Sequence, residues 1–388
     1  MTTSLLRPAR RLATLLVVAT ALSGCATVSD WWNGSDNAPK PTPLTAIDAP
    51  VPVKVQWEAG LAEAGSYAFT PSLMGDMVWA ASRDGALQAV DLNTGRVASR
   101  LDTKLALAAG VGAKNGRLFV GTSAGELVAL DDNGKELWRA RLTSQALEAP
   151  QVDDDRVFVR TNDGRLSAFA VATGKPVWTF QRPLPPLTVR NYASMTLVAN
   201  EVMLLGLPGG RLTAIRTAGG EQLWESVVSS PRGATELERI ADIASRPVFD
   251  RGQVCAVAFQ GKLSCLDARS GTPMWSKDIA SSRGLTVDGQ NVYVTSDDGT
   301  VWALDRASGR EVWKQSGLKH RGVSGPALLG RYVVVLDNEG IAHLLSNESG
   351  DFVGRQSLGG GKVVTQPQTV GERVLVQTQS SRVLALSL

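Results

Sequence analysis

The chain has 388 residues, 43% of them hydrophobic, and 39 glycines. That length and turn-rich composition exclude a disordered chain and fit an architecture that repeats one unit better than a single ordinary core. The net charge of +3, from 40 basic and 37 acidic residues, stems from Arg7, Arg10 and Arg11 in a stretch without acids, and the balanced remainder argues against a nucleic-acid partner.

Residues 1–24 read as a targeting segment: a basic start, then the apolar core LATLLVVATAL, too short to span a bilayer comfortably. The following Leu22-Ser23-Gly24-Cys25 looks like a bacterial lipobox. That resemblance implies that Cys25 is acylated and becomes the first residue of the mature chain. Ala26, where an Asp would suggest inner-membrane retention, points by the same resemblance to the outer membrane, with the protein facing the periplasm. The plainer reading is an ordinary secretory signal with an incidental cysteine. Residues 25–52, rich in Pro, Asn, Asp, Ser and Thr, read as a flexible tether. Trp31 and Trp32 within it read either as anchors at a membrane interface or as incidental.

From residue 53 onward one pattern recurs: GALQAVDLNTGRVAS, GELVALDDNGKELW, GRLSAFAVATGKPVW, GRLTAIRTAGGEQLW, GKLSCLDARSGTPMW, GTVWALDRASGREVW and GIAHLLSNESGDFVG, then the half-copy SRVLALSL. The steps are about 40 residues, the period of a four-stranded propeller blade. The leading glycine admits the turn into a strand. The alternating L-x-A-L places large residues on one face and small Ala in a crowded inner strand. Asp91, Asp131, Asp267 and Asp305 fit the role of turn caps. A Trp follows each second glycine at a fixed distance in most copies: Trp138, Trp178, Trp224, Trp275 and Trp313. At that outer-strand position it is expected to pack on the next blade, with a partner for its indole N–H. Ser99 and Gly354 break the rule, which predicts weaker docking there.

In the fifth copy Cys255 and Cys265 flank AFQGK. A hairpin centred near residue 260 puts them opposite each other, within disulfide range in an oxidising compartment. Two small buried thiols remain the alternative, because a one-residue slip of register separates them. The last copy stops before its turn and Trp, and the missing strand stands at the other end, VKVQWEAG with Trp57. Pairing of residues 53–58 outside 382–387 would close the ring and remove an open seam. The expected fold is therefore all-β: an eight-bladed β-propeller of four-stranded antiparallel blades over residues 53–388, closed by its N- and C-terminal strands.

The A-x-D-x-x-[TS]-G-x-x-x-W unit resembles the tryptophan-docking repeat of the quinoprotein dehydrogenases, which use pyrroloquinoline quinone (PQQ). Against that activity stand the absence of an adjacent Cys-Cys pair, only two histidines (His320 and His343), and no clustered acids to assign to Ca²⁺. No cofactor or metal is expected. Lipobox, tether and eight such blades together resemble the BamB family, the lipoproteins of the outer-membrane β-barrel assembly machinery (BAM). Two insertions carry the resemblance further. LPPLTVRNYASM, residues 184–195, is similar to the family's exposed L-T-x-R connection, and implies that Leu187, Val189 and Arg190 contact the periplasmic domains of BamA, the barrel-forming subunit. The family has Leu where Val189 stands and a small residue where Asn191 and Tyr192 follow. GATELERIADIASRP, residues 233–247, is similar to a TE-[IL]-x-R-[IL]-x-D segment and implies a functional acid at Asp242, while the family's second acid is Ala244 here.

Read without the family, Arg190 is a solvated loop arginine and Leu187 a loop anchor. Read the same way, TELERIAD is a short helix with Thr235 and Glu238 as a capping box and Leu237 and Ile240 facing the body. The resemblance implies a non-enzymatic scaffold on the outer membrane, bound to BamA and the rest of the machinery and held by its lipid. Unfolded barrel proteins are a further expected partner, paired to outer strand edges. A quinoprotein dehydrogenase and a cell-wall or polysaccharide-binding propeller are the alternatives.

Overall fold

A computed structural model describes residues 39–48, 50–61, 67, 69–146, 148–189, 194–359, 362–363, 365–380 and 382–388. Cys25, Trp31, Trp32 and Arg190 lie outside them. The described strands form eight antiparallel sheets of four. The chain runs through each sheet from an inner strand outward. Blade 1 shows the pattern, with strands Ser72–Met74, Met77–Ala81, Ala86–Asp91 and Val97–Asp102. Inner strands touch their neighbours in ring order. Blade 8 is composite: Gln368–Val370, Arg373–Gln377 and Arg382–Ser387 are completed on the outside by Lys54–Gly60. In that seam Trp57 pairs with Ala385 and Gly60 with Arg382. The ring closes as the half-copy at 381–388 requires.

The alanine of L-x-A-L sits in the third strand, not the innermost one. Its size has a local cause, since in most blades this Ala lies between two large cross-strand partners, Ala89 with Ser99 on one side being the exception. Ala129 pairs with Phe119 and Trp138, Ala168 with Phe158 and Trp178, and Ala303 with Tyr293 and Trp313. The flanking rings then meet over the alanine at centroid distances of 5.8–5.9 Å. Blade 5 fills the same slots with sulfur: Cys255 pairs with Cys265, Cα atoms 4.1 Å apart, and the two are joined as a disulfide beside Trp275. In blade 7 the sizes exchange, with Leu344 in the small slot opposite Gly354.

The tryptophans lock neighbouring blades. Each indole N–H donates to a backbone carbonyl of the next blade at 2.8–3.0 Å: Trp57 to Leu92, Trp138 to Val171, Trp178 to Thr217, Trp224 to Ala268, Trp275 to Arg306 and Trp313 to Asn347. The ring lies against the turn glycine of that blade. At Gly350, whose φ is +75°, an added Cβ would stand 2.5 Å from Trp313 Cε3. The turn needs a left-handed residue and the ring needs a bare Cα, and glycine meets both demands. The two departures are compensated differently. Beyond Ser99, Leu101 covers the turn glycine of blade 2, Gly134, where an added Cβ would stand 3.5 Å from the Leu101 side chain. At Gly354 the chain itself fills the gap, because Val51 N–H donates to Val353 O at 2.6 Å and a Cβ on Gly354 would stand 2.9 Å from Val51 O.

The compact body runs from Pro41 to Leu388, so it takes in residues that the sequence reading gave to the tether. Thr42 N–H donates to Lys319 O at 3.0 Å, and Arg321 and Arg355 donate to the carbonyls of Thr42 and Thr45. These arginines meet a closed polar cluster in blade 7. Asp337 accepts from Arg321 Nε at 2.8 Å and lies 3.0 Å from His343 Nε2, while Arg355 Nε donates to His343 Nδ1 at 3.2 Å. Nδ1 is thus an acceptor and Nε2–H the donor to Asp337, which fixes a neutral tautomer.

Candidate functional site: two inter-blade loops pinned together

The two insertions occupy successive connections. Residues 181–194 link Pro176–Phe180 of blade 3 to Met195–Val198 of blade 4, and residues 228–247 link Gln222–Val227 of blade 4 to Val248–Asp250 of blade 5. The ring brings them side by side. Val189 N–H donates to Asp242 Oδ2 at 2.7 Å, and Gly209 N–H to Asp242 Oδ1 at 3.0 Å. Asp242 is only 3% exposed. A buried carboxylate with both oxygens engaged holds a loop in place rather than offering itself to solvent. Leu187, two residues before Val189, is 43% exposed, whereas the Leu184 side chain stands against Gly164. Leu187 is thus not the tucked-in anchor of the plainer reading.

A second carboxylate does the same on the far side of residues 190–193. Glu148, 3% exposed, comes from the connection between blades 2 and 3. Its Oε1 accepts the N–H groups of Ser194 (2.6 Å) and Met195 (2.8 Å), and its Oε2 accepts the Ser194 hydroxyl at 3.2 Å. Arg160 also donates to that hydroxyl. Burial pulls the Arg160 guanidinium below its ordinary value, and the charges of Glu148 and Asp242 oppose the shift. Two buried carboxylates from two connections, with a half-buried arginine at a strand end, therefore fix both flanks of the first insertion.

Sequence reasoning missed Glu148 and Arg160. For Arg160 a signal existed. Its slot at the end of the second strand holds Ala81, Gly121, Gly206, Val257, Thr295, Leu336 and Gln377 in the other blades. A lone arginine there marks a blade doing something different.

The TELERIAD segment forms one turn rather than a helix. Its capping box is present: Glu238 N–H donates to Thr235 Oγ1 at 3.2 Å and Thr235 N–H to Glu238 Oε2 at 3.0 Å. The N–H of Thr235, foremost among these bonds, holds the Glu238 carboxyl below the usual carboxylate range. Leu237, expected against the body, is 66% exposed, while Ile240 is half-buried. One turn is too short to present an apolar stripe, so Leu237 points outward. Among the described residues no group of three or more His, Cys, Asp or Glu stands together as a set to hold a metal ion.

The family model described as outer membrane protein assembly factor BamB matches residues 83–315. An outer membrane protein assembly factor BamB of Bordetella pertussis is 40% identical over 96% of both chains. Another, of Burkholderia pseudomallei, is 38% identical over 88% of this chain and 90% of its own. The crystal structure of BamB from Moraxella catarrhalis superposes with a TM-score of 0.78 at 26% identity, covering 87% of this chain and all of that one. The quinohemoprotein alcohol dehydrogenase of Comamonas testosteroni reaches a TM-score of 0.70 at 14% identity, over 86% of this chain and 76% of that one, a likeness of fold alone.

Proposed function

This chain belongs to the BamB family of outer membrane protein assembly factors, and from that premise we propose that it presents the pinned loop at 184–189 to the periplasmic domains of BamA. It is a non-catalytic factor of the β-barrel assembly machinery. The quinoprotein and glycan-binding readings give way to that membership. The observation that carries the site is the Val189–Asp242 bond, which joins the two insertions beside exposed Leu187. Leu187 is the apolar contact and Asp242 supports the loop from beneath. Arg190, which follows Val189, supplies a planar donor fork by sequence. Preorganisation is the mechanism: a loop already fixed loses little entropy on docking. A lipid on Cys25 would confine the protein to the periplasmic face of the outer membrane and raise its effective concentration.

The test is a pulldown of the tagged full-length protein from gently solubilised outer membranes. BamA is expected to co-purify, and Leu187→Asp and Arg190→Glu to reduce its recovery with the fold intact. Undiminished recovery from the variants would reject the site, and absence of BamA from intact machinery would reject the partner. Cys25→Ala is expected to release the protein from membranes; a membrane-bound variant would reject the anchor.

A second reading, uptake of unfolded barrel strands along outer edges, is favoured by Leu137, Val177, Leu223, Met274 and Val312. Each is exposed on an outer strand, one residue before a docking Trp. Photo-cross-linkers at these positions should capture unfolded barrel peptides, and capture no higher than at interior positions would dismiss it.

A further inference from the structure

The inner strands surround an axial channel, and the ends at which they begin form a cavity of about 540 Å³. Three cations line it, Arg246, Arg283 and Lys362, together with Ser245, Gln366 and Gln368, and among the described residues no Asp or Glu does. An adjoining depression shares Arg246 and Gln368 and likewise has no acid. In a chain with nearly equal numbers of acids and bases, a mouth lined by one sign is a local choice.

The state of the arginines is more telling than their number. Other half-buried or buried arginines are engaged: Arg117 with Val171 O, Arg156 with Asp153, Arg306 with Asp250 and Gln253, Arg321 with Asp337 and Glu339. Arg246 and Arg283 are half-buried with no hydrogen-bond or carboxylate partner among the described residues, and the Nε of each is enclosed without an acceptor. Ser245, 5% exposed, brings a hydroxyl in the same condition to the same cavity. Arg165 Nε and Arg355 Nη2 are also enclosed without an acceptor, but their other nitrogens are bonded; at Arg246 and Arg283 the whole guanidinium lacks an acceptor among the described residues, which is costly out of water.

The rim around these groups is fixed. Gln366 Nε2 donates to Leu285 O at 2.9 Å and to Pro326 O at 2.7 Å, tying blades 6 and 7 together. Gln368 Nε2 reaches Pro71 O of blade 1 at 3.2 Å. A Cβ on Gly325 would stand 2.2 Å from Arg283 O, so the backbone carrying Arg283 is wedged in place. The rim is held, and the two guanidinium groups beside it have no acceptor among the described residues.

We propose that this channel mouth is an oxyanion site, which takes a ligand bearing two or more phosphate or carboxylate groups. The forks of Arg246 and Arg283 receive the oxygens in planar pairs, Ser245 adds a neutral donor and Lys362 a flexible charge at the rim. Val189 lines both this cavity and the pocket at the pinned loop, so an occupant would sit beside that loop. The site nonetheless stands independently of the partner assigned to it.

The experiment is calorimetric titration of the full-length protein at low salt with two probes, inorganic pyrophosphate and citrate. At least one is expected to bind at one site per chain, and the preferred probe tells a phosphate source from a carboxylate source. Arg246→Gln with Arg283→Gln should weaken binding at least tenfold, whereas exposed Arg96→Gln should change it by less than twofold. Because these arginines make no bond that the fold would lose, the double variant should melt no lower than the parent. Lys362→Gln, at the exposed rim, provides a variant that leaves the packing alone and should weaken binding severalfold. Failure of both probes to bind, or equal affinity in parent and variants, would overturn the proposal.

Discussion

Replacing Asp242 by alanine removes the acceptor of two backbone N–H groups, Val189 at 2.7 Å and Gly209 at 3.0 Å, in a setting almost closed to water. A hydrogen bond to a charged acceptor contributes about 1.5–3 kcal/mol, and an orphaned buried donor costs about 1–3 kcal/mol. Water reaching the rim recovers part of this, so the closed state of the loop at Val189 should lose about 2 kcal/mol. Converted at 1.4 kcal/mol per decade, that is about 30-fold faster amide exchange. Asparagine keeps one carbonyl oxygen and can serve one of the two donors, so its effect should be intermediate. The assay is hydrogen–deuterium exchange resolved at Val189 and Gly209, run beside BamA pulldown. If Asp242 acts by holding the loop, exchange and partner recovery change together, and Asn lies between Asp and Ala in both. Lost recovery with unchanged exchange at Val189 would refute the reasoning and make Asp242 a direct contact.

Trp313→Ala should cost about 3–5 kcal/mol, as for other buried tryptophans. Gly350→Ala should also destabilise, because its Cβ meets the same ring, and chemical denaturation that finds either change neutral would undo the docking scheme. The His343 imidazole is pushed below its ordinary value by burial, with Arg355 and Arg321 adding to the shift and Asp337 opposing it. A base depressed in the folded state contributes its stability above the unfolded value of about 6.5 and loses it as pH falls below that. Stability should therefore drop as pH falls below about 6.5, by up to about 1.4 kcal/mol per unit, and His343→Gln should flatten the slope; equal slopes in parent and variant would contradict this. Deleting residues 382–388 removes Val383, Leu384, Ala385 and Leu386 from the core, roughly 5 kcal/mol or more of burial. An unchanged melting temperature would disprove the seam.

The architecture was legible because each blade repeats its own local instructions. The turn glycine, the capping Asp and the Trp at fixed spacing each act within one hairpin or on the next, so their meaning survives in a linear text. The site was less legible because its bonds are distant in sequence. Val189 and Asp242 are 53 positions apart, and Glu148 and Ser194 are 46 apart. The resemblance named Asp242 yet implied nothing about its direction, and burial decides that. Glu148 carried no mark, since a glutamate before a strand reads as a solvated loop residue. Leu237 was assigned inward because its spacing suits a helix, and the chain makes only one turn there. The composition of residues 42–48 suits a tether, but Arg321 and Arg355 in blade 7 donate to the carbonyls of Thr42 and Thr45.

The seam in blade 8 has a consequence for how this molecule comes into being. Glu58 and Arg382, neighbours across it, are 324 positions apart. Joining two such points in an unstructured chain costs on the order of 5 kcal/mol in loop entropy. Blades 1 to 7 assembled in order would bring the ends together in advance, leaving a short gap to bridge. The first strand made must wait, unpaired, for nearly the whole of the rest to be synthesised. A chain cut short before residue 382 has nothing for it to pair with and keeps two raw edges for proteases and chaperones to find. The zip between 54–60 and 382–387 thus works as a length check, and a sealed ring certifies that translation ran through its eighth blade.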